Sequence, residues 1–162
     1  MFREGQELPA YHELLERDDA PKGSSWGLFG EDDQLGTINF LTPERTRAAA
    51  ACVKRGVTFN LDCPLNAFDP PTSWQRKPHK HVIFGNNPYH RDDYLQDFYL
   101  QAGSQVDALR HMCHPIHGFY NAAPSESIVV GDDRNGIRHL AEYGIAGRGV
   151  LLDLERHLRL SG

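Results

Sequence analysis

Cysteine is scarce in this chain and odd in number. Cys52, Cys63 and Cys113 show no CxxC spacing, so a disulfide framework is not indicated and a reducing compartment is expected. Long apolar runs are missing too. No stretch approaches the roughly 20 apolar residues of a membrane span, and the opening MFREGQELPAYHELLERDD holds no run of signal-peptide length. The expectation is a cytoplasmic protein without a membrane partner. Positive charge is short as well: Lys and Arg total 17 against 22 Asp and Glu, a net charge of −5, with the basic residues scattered along the chain. Such a pattern offers no face for a phosphate backbone and argues against a nucleic-acid partner. GxGxxG, P-loop and GxSxG patterns are also absent, which removes support for nucleotide and serine-hydrolase functions.

What is present describes a globular chain. At 162 residues one domain is the default, 40% of residues are hydrophobic and 24% are charged, so a real core is expected. Residues 1–24 read as a polar, loop-like lead, and residues 25–162 as the domain itself. Thr42, Pro43 and Glu44 have the residue types of a helix cap, first position and first turn, and the alanine run after them predicts a helix from about Pro43 to Arg55. VTFNLDCPL alternates and predicts a strand. Residues 64–91 carry five prolines (Pro64, Pro70, Pro71, Pro78 and Pro88) together with His79, His81 and His90, and predict a long loop. YLQDFYLQ and SIVVGDD read as further strands, IRHLAEYG as a short helix stopped by Gly144, and GVLLDLERHL as a buried strand. The alternation of helix and strand predicts an α/β class.

The chemistry concentrates in QAGSQVDALRH, residues 101 to 111. If the segment is extended, Gln101, Gln105, Asp107 and His111 share one face, since side chains alternate along a strand. If it turns helical after Ser104, Asp107 and His111 still meet at i and i+4. A carboxylate beside an imidazole can hold a divalent metal, or the carboxylate can orient the imidazole as a general base. The DxxxH spacing is common and, taken alone, favours a hydrogen-bonded polar pair.

The same stretch resembles the signature of the cyclase family, metal-dependent hydrolases that include bacterial kynurenine formamidase and isatin hydrolase. In that signature two histidines flank a Gly-Thr pair ahead of an aspartate, and a further histidine follows four residues after it. Gly103, Ser104, Asp107 and His111 fill the glycine, threonine, aspartate and final histidine places. WGLFGEDDQLGTINFLTPERTRAAA, GFYNA and GIAGRGVLLDL are similar to the flanks of the larger, divergent branch, so the resemblance runs from about Ser25 to Leu154. It implies a swivelling β/β/α fold, a mixed sheet with flanking helices. The implied activity is hydrolysis of an amide, formamide or cyclic carbonyl compound of small size, as in an arylformamidase. The site it implies has Asp107, Gln101 and Gln105 around a divalent ion, His111 moving the proton, and Trp26 and Tyr120 lining the substrate cleft.

Gln101 and Gln105 stand where the family carries histidines, and Leu109 where it carries proline. A glutamine carbonyl is a weaker donor than imidazole, so the implied site is looser for Zn²⁺ and suits Mn²⁺ or Mg²⁺ better. The resemblance also implies that this chain is the N-terminal half of such a protein. A complementary C-terminal half or a second copy is then expected as partner, because an uncovered apolar strand recruits one. The alternative is a catalytically silent binding or assembly module that keeps the fold without metal. HMCHPIHG holds four candidate metal ligands within seven residues, too close to wrap one tetrahedral ion, so His114 and His117 read as loop residues at a pocket rim. His79 and His81 read as solvated loop residues, and Asp32 and Asp33 as a turn.

Overall fold

The computed structural model of the chain describes residues 7–69, 71 and 73–161, so residues 1–6 of the expected lead and Pro70 of the expected loop lie outside it. The chain divides into two units, Met1–Gly56 with Ala108–Gly162 and Val57–Asp107.

The first unit carries helices α1 (Tyr11–Glu16), α2 (Pro43–Ala50), α3 (Ile137–Tyr143) and α4 (Leu154–Ser161), with short 3-10 turns between them. Helix α1 falls in the stretch expected to be a loop. It is set by a reciprocal cap in which the Glu13 carboxylate accepts the Ala10 N–H at 2.5 Å. Helix α2 starts where the sequence places it: Thr42 Oγ1 accepts the Arg45 N–H at 3.3 Å and Pro43 takes the first helical position, where no N–H is needed. Its own amide and the Thr42 hydroxyl hold the Glu44 carboxyl below the usual carboxylate range. The helix ends at Ala50, earlier than the alanine run suggests, with Ala51 N–H turning back to Ala49 and Arg47. Replacing Thr42 with Ala is expected to lower the stability of this unit by about 1 kcal/mol. A thermal or urea midpoint unchanged in Thr42→Ala would show that the cap contributes nothing.

The apolar core of this unit is small. Ala20, Phe29, Ala108, Tyr120, Ala123 and Leu140 are buried, and Phe29 meets Phe40 edge to face at 5.2 Å between ring centres. Gly36 sits among Asp33, Leu109 and Tyr120 with φ of +59°, a conformation that a residue with a Cβ adopts only under strain.

The second unit is built on a hairpin, β1 (Lys80–Gly85) antiparallel to β2 (Arg91–Gln96), with Val82 opposite Tyr94 and Ile83 opposite Asp93. Asn87 organises the connection, its side-chain oxygen accepting the N–H groups of Tyr89 at 2.9 Å and His90 at 3.0 Å. Strand β1 therefore rises out of the stretch expected to be loop, while β2 takes in only Tyr94, Leu95 and Gln96 at the start of the expected YLQDFYLQ strand, which ends in a 3-10 turn.

The remaining differences share one cause. VTFNLDCPL and SIVVGDD form no strand, and GVLLDLERHL gives an irregular lead followed by α4. Alternation makes a strand only where another strand supplies the ladder, and among the described residues no such partner meets these segments. Among the described residues the architecture is therefore four helices with a two-stranded antiparallel sheet, and the expected mixed sheet is not formed there.

Candidate functional site

Gln101 lies in a 3-10 turn, Leu100–Ala102, and the residues after it do not continue as a strand. The extended arrangement that would align Gln101, Gln105 and Asp107 on one face is thus not adopted. Gln101 and Asp107 nevertheless meet: the Gln101 Nε2 donates to Asp107 Oδ2 at 2.7 Å. The other end of the same amide faces a cation, with Arg76 Nη2 donating to Gln101 Oε1 at 3.2 Å and Arg76 Nη1 donating to the Gln101 backbone carbonyl. The result is a chain of guanidinium, amide and carboxylate. Ser104, in the threonine place of the signature, accepts the Cys63 N–H at 2.8 Å through its hydroxyl. Gln105 is exposed.

That geometry tests whether these residues fit a divalent ion. A glutamine binds metal through its carbonyl oxygen, and here that oxygen is directed to a guanidinium while the NH₂ end faces the carboxylate. An ion held by Asp107 and Gln101 would need the amide reversed and Arg76 moved away. The donor set as folded does not fit a metal. Consistently, among the described residues no group of three or more His, Cys, Asp or Glu is placed to share an ion.

Beside this chain, the second unit holds a cavity of about 300 Å³ bordered by Ala102, Gly103 and Ser104 and walled by Phe68, Phe98 and Tyr99. His79 and His81 line it, His79 edge to face with Phe98 at 6.4 Å. His81 and Asp93 project from the same face of the hairpin, and His81 Nε2 lies 2.6 Å from Asp93 Oδ2.

The first unit carries the other expected site residues. His111 is exposed, its N–H closing a turn onto Ala108 O at 3.3 Å. Trp26 and Tyr120 come together edge to face at 6.0 Å, and Trp26 also meets His117 at 6.4 Å. His114 Nδ1 accepts the N–H groups of Ile116 and His117, both at 3.2 Å, so one of its ring nitrogens is committed to its own loop. Arg17 ties the region down, donating to the Trp26 carbonyl at 2.8 Å and pairing with Asp19.

Tyr120 anchors a polar network that local sequence patterns did not single out. Its hydroxyl donates to Asp33 Oδ2 at 2.8 Å, and Asp33 also accepts from the Gly36 N–H at 2.8 Å and from Asn39 Nδ2 at 2.6 Å. Burial, then the Asp33 carboxylate, pushes the Tyr120 hydroxyl well above the ordinary phenol range, so it stays protonated. Asn121, with φ of +54°, accepts from Gly27 N–H at 2.9 Å and donates to the carbonyls of Gly30, Glu31 and Asp33. Asn135 is fully buried and donates to the Tyr120 carbonyl at 3.1 Å. The density of Asp, Asn and Gly in GEDDQLGTINF is the available signal: it predicts a turn, and the turn is the hub of this network. No local pattern marks Arg76.

Among solved structures, the chain is similar to the crystal structure of a novel cyclase, with 33% sequence identity, a TM-score of 0.72, and coverage of 84% of this chain and 50% of that one. The chain belongs to the cyclase family. It spans about half the length of that solved relative. No family model matches the sequence, and no curated protein matches it.

Proposed function

We propose that this chain is a cyclase-family module that binds a small carbonyl compound, an amide, formamide or cyclic carbonyl, and is catalytically silent by itself. The observation that supports this reading is the Gln101 amide set between Arg76 and Asp107. Through the Gln101 amide the Asp107 carboxylate is linked to the positive charge of Arg76 instead of to an ion, and hydrogen bonds to charged groups are among the stronger ones in proteins. Within the first unit, Trp26 and Tyr120, edge to face at 6.0 Å, are proposed to offer aromatic surface to the substrate.

A second reading, an arylformamidase-like hydrolase, is favoured by the retention of Asp107 and His111 within a chain 33% identical to a cyclase. In that reading His111 takes a proton from the attacking water as oxygen bonds to the carbonyl carbon, and returns it to the leaving nitrogen as the C–N bond breaks. The swivelling β/β/α arrangement is proposed for the protein once its remaining strands are paired.

The test is direct. Purified protein loaded with Mn²⁺ or Zn²⁺ and dialysed is expected to retain well under about one ion per chain by elemental analysis, the occupancy of a closed metal site. It is also expected to hydrolyse an aryl formamide no faster than Asp107→Ala and His111→Ala do. One tightly held ion together with hydrolysis that both variants abolish would replace the silent module with the enzyme.

A further inference from the structure

The cavity of the second unit lies wholly within Val57–Asp107. The carbonyl-binding reading, which rests on Gln101 and on the aromatics of the first unit, leaves it unused. Its volume of about 300 Å³ is at the lower end for ligand pockets, room for one aromatic ring and a few further atoms. The walls suit such a ring. Leu65, Phe68 and Phe98 border the cavity and remain 45%, 48% and 43% exposed, apolar surface that a bound ring would take out of water. Aromatic walls also favour another ring, packed edge to face or offset, over an aliphatic chain.

The polar lining narrows the choice. Asp69 and Asp97 bring carboxylates, Lys77 an ammonium, and His79 and His81 imidazoles. A ligand with a fixed charge of either sign meets a like charge there, so a neutral molecule fits better. His81 marks the polar end. Its Nε2 lies 2.6 Å from Asp93 Oδ2, and an ionised carboxylate only accepts, so Nε2 carries the hydrogen. The neutral ring therefore has its lone pair on Nδ1, which has no hydrogen-bond partner among the described residues. When Nδ1 takes a proton, Asp93 faces the imidazolium and stabilises it. His79 has no such carboxylate and packs edge to face on Phe98.

We infer that this cavity binds a neutral hydroxyaryl compound, a single aromatic ring bearing an acidic O–H, and that His81 takes its proton. The ring lies among Phe68, Phe98 and Tyr99 with its oxygen toward His81. The O–H bond breaks, the electron pair stays on oxygen as phenolate, and the proton goes to Nδ1. An imidazole accepts it when the hydroxyl is about as acidic as an imidazolium. The step needs no further reactant, and the inference stands whether or not the module binds a carbonyl compound.

The probe is para-nitrophenol, whose phenolate absorbs visible light and whose neutral form does not. It is titrated into the full chain at a fixed pH just below its own pKa. The expected result is saturable binding of about one molecule per chain, with a rise in phenolate absorbance. The same ring without the O–H, para-nitrotoluene, is expected to bind at least about tenfold more weakly. His81→Gln keeps a hydrogen-bonding side chain but takes no proton, and is expected to abolish the rise. Asp93→Asn is expected to shrink it, because the imidazolium loses its counter-charge. Phe98→Ala is expected to weaken binding about tenfold while the bound probe keeps its phenolate signal. His81 and Asp93 are exposed, so the circular dichroism of their variants is expected to match the unsubstituted chain. Equal affinity for para-nitrotoluene would leave only an apolar hollow and overturn the inference. Phenolate absorbance that persists in His81→Gln, or no saturable binding at all, would overturn it too.

Discussion

Replacing Asp33 with Ala is expected to lower the unfolding free energy of the first unit by about 3 kcal/mol, a large share of a small domain's stability. The carboxylate accepts from the Gly36 and Leu35 amides, the Asn39 side chain and the Tyr120 hydroxyl. Removing it strands donors that the fold has already taken from water: Asn39 is 1% exposed and Tyr120 5%. Leaving such a group unsatisfied costs more than the bond itself was worth. Asp33→Asn keeps the shape and some of the bonds, and is expected to cost roughly half as much. Urea unfolding followed by far-ultraviolet circular dichroism reads both. If the Asp33→Ala midpoint coincides with that of the unsubstituted chain, Asp33 is only a turn residue.

The same network sets a pH dependence. In the folded chain the Tyr120 hydroxyl is pushed above its unfolded value of about 10. Below that pH both states hold the proton and the hydrogen bond to Asp33 contributes in full. As pH rises past about 10 the unfolded chain releases the proton while the folded chain keeps it, so stability falls. Tyr120→Phe is expected to remove this part of the alkaline decline.

The second large effect concerns the metal. Converting Gln101→His and Gln105→His together restores two imidazoles ahead of Asp107, and the double variant is expected to retain about one Zn²⁺ per chain where the unsubstituted protein retains far less. The physical argument is donor strength. An imidazole nitrogen binds zinc more strongly than an amide oxygen, and it has no carbonyl for Arg76 to hold. Elemental analysis after dialysis decides it. If the double variant is as metal-free as the parent, then the path of the backbone through residues 101–107, and not the side chains, keeps the ion out. Arg76→Ala in the same background is expected to slow the loss of Zn²⁺ on dialysis, since it removes a neighbouring positive charge.

The legible parts of this fold were those decided within a few residues. Helix α2 could be read from Thr42, Pro43 and Glu44 because a cap bond spans only three positions. Helix α3 stops at Gly144 because its φ of +81° is open to glycine. Strands were not legible in the same way. Val57, Phe59 and Leu61 alternate as well as any residues in β1, yet only β1 found a partner, and an unpaired run has no ladder to join.

The candidate site divides along the same line. Residue types and spacing alone carried the resemblance that led to the family, through Gly103, Ser104, Asp107 and His111. What Asp107 meets in the fold is the Gln101 amide and, through it, Arg76, 31 positions earlier in a proline-rich stretch without any motif of its own. Composition and local order therefore determined the start of α2, the stop of α3 and the family signature. Tertiary structure alone decided which carboxylate is solvated, which is a hub and which is bridged to a cation. Those outcomes depend on charges and donors brought together from distant parts of the chain, and Coulombic and hydrogen-bond energies act over ångströms of space, not over sequence spacing.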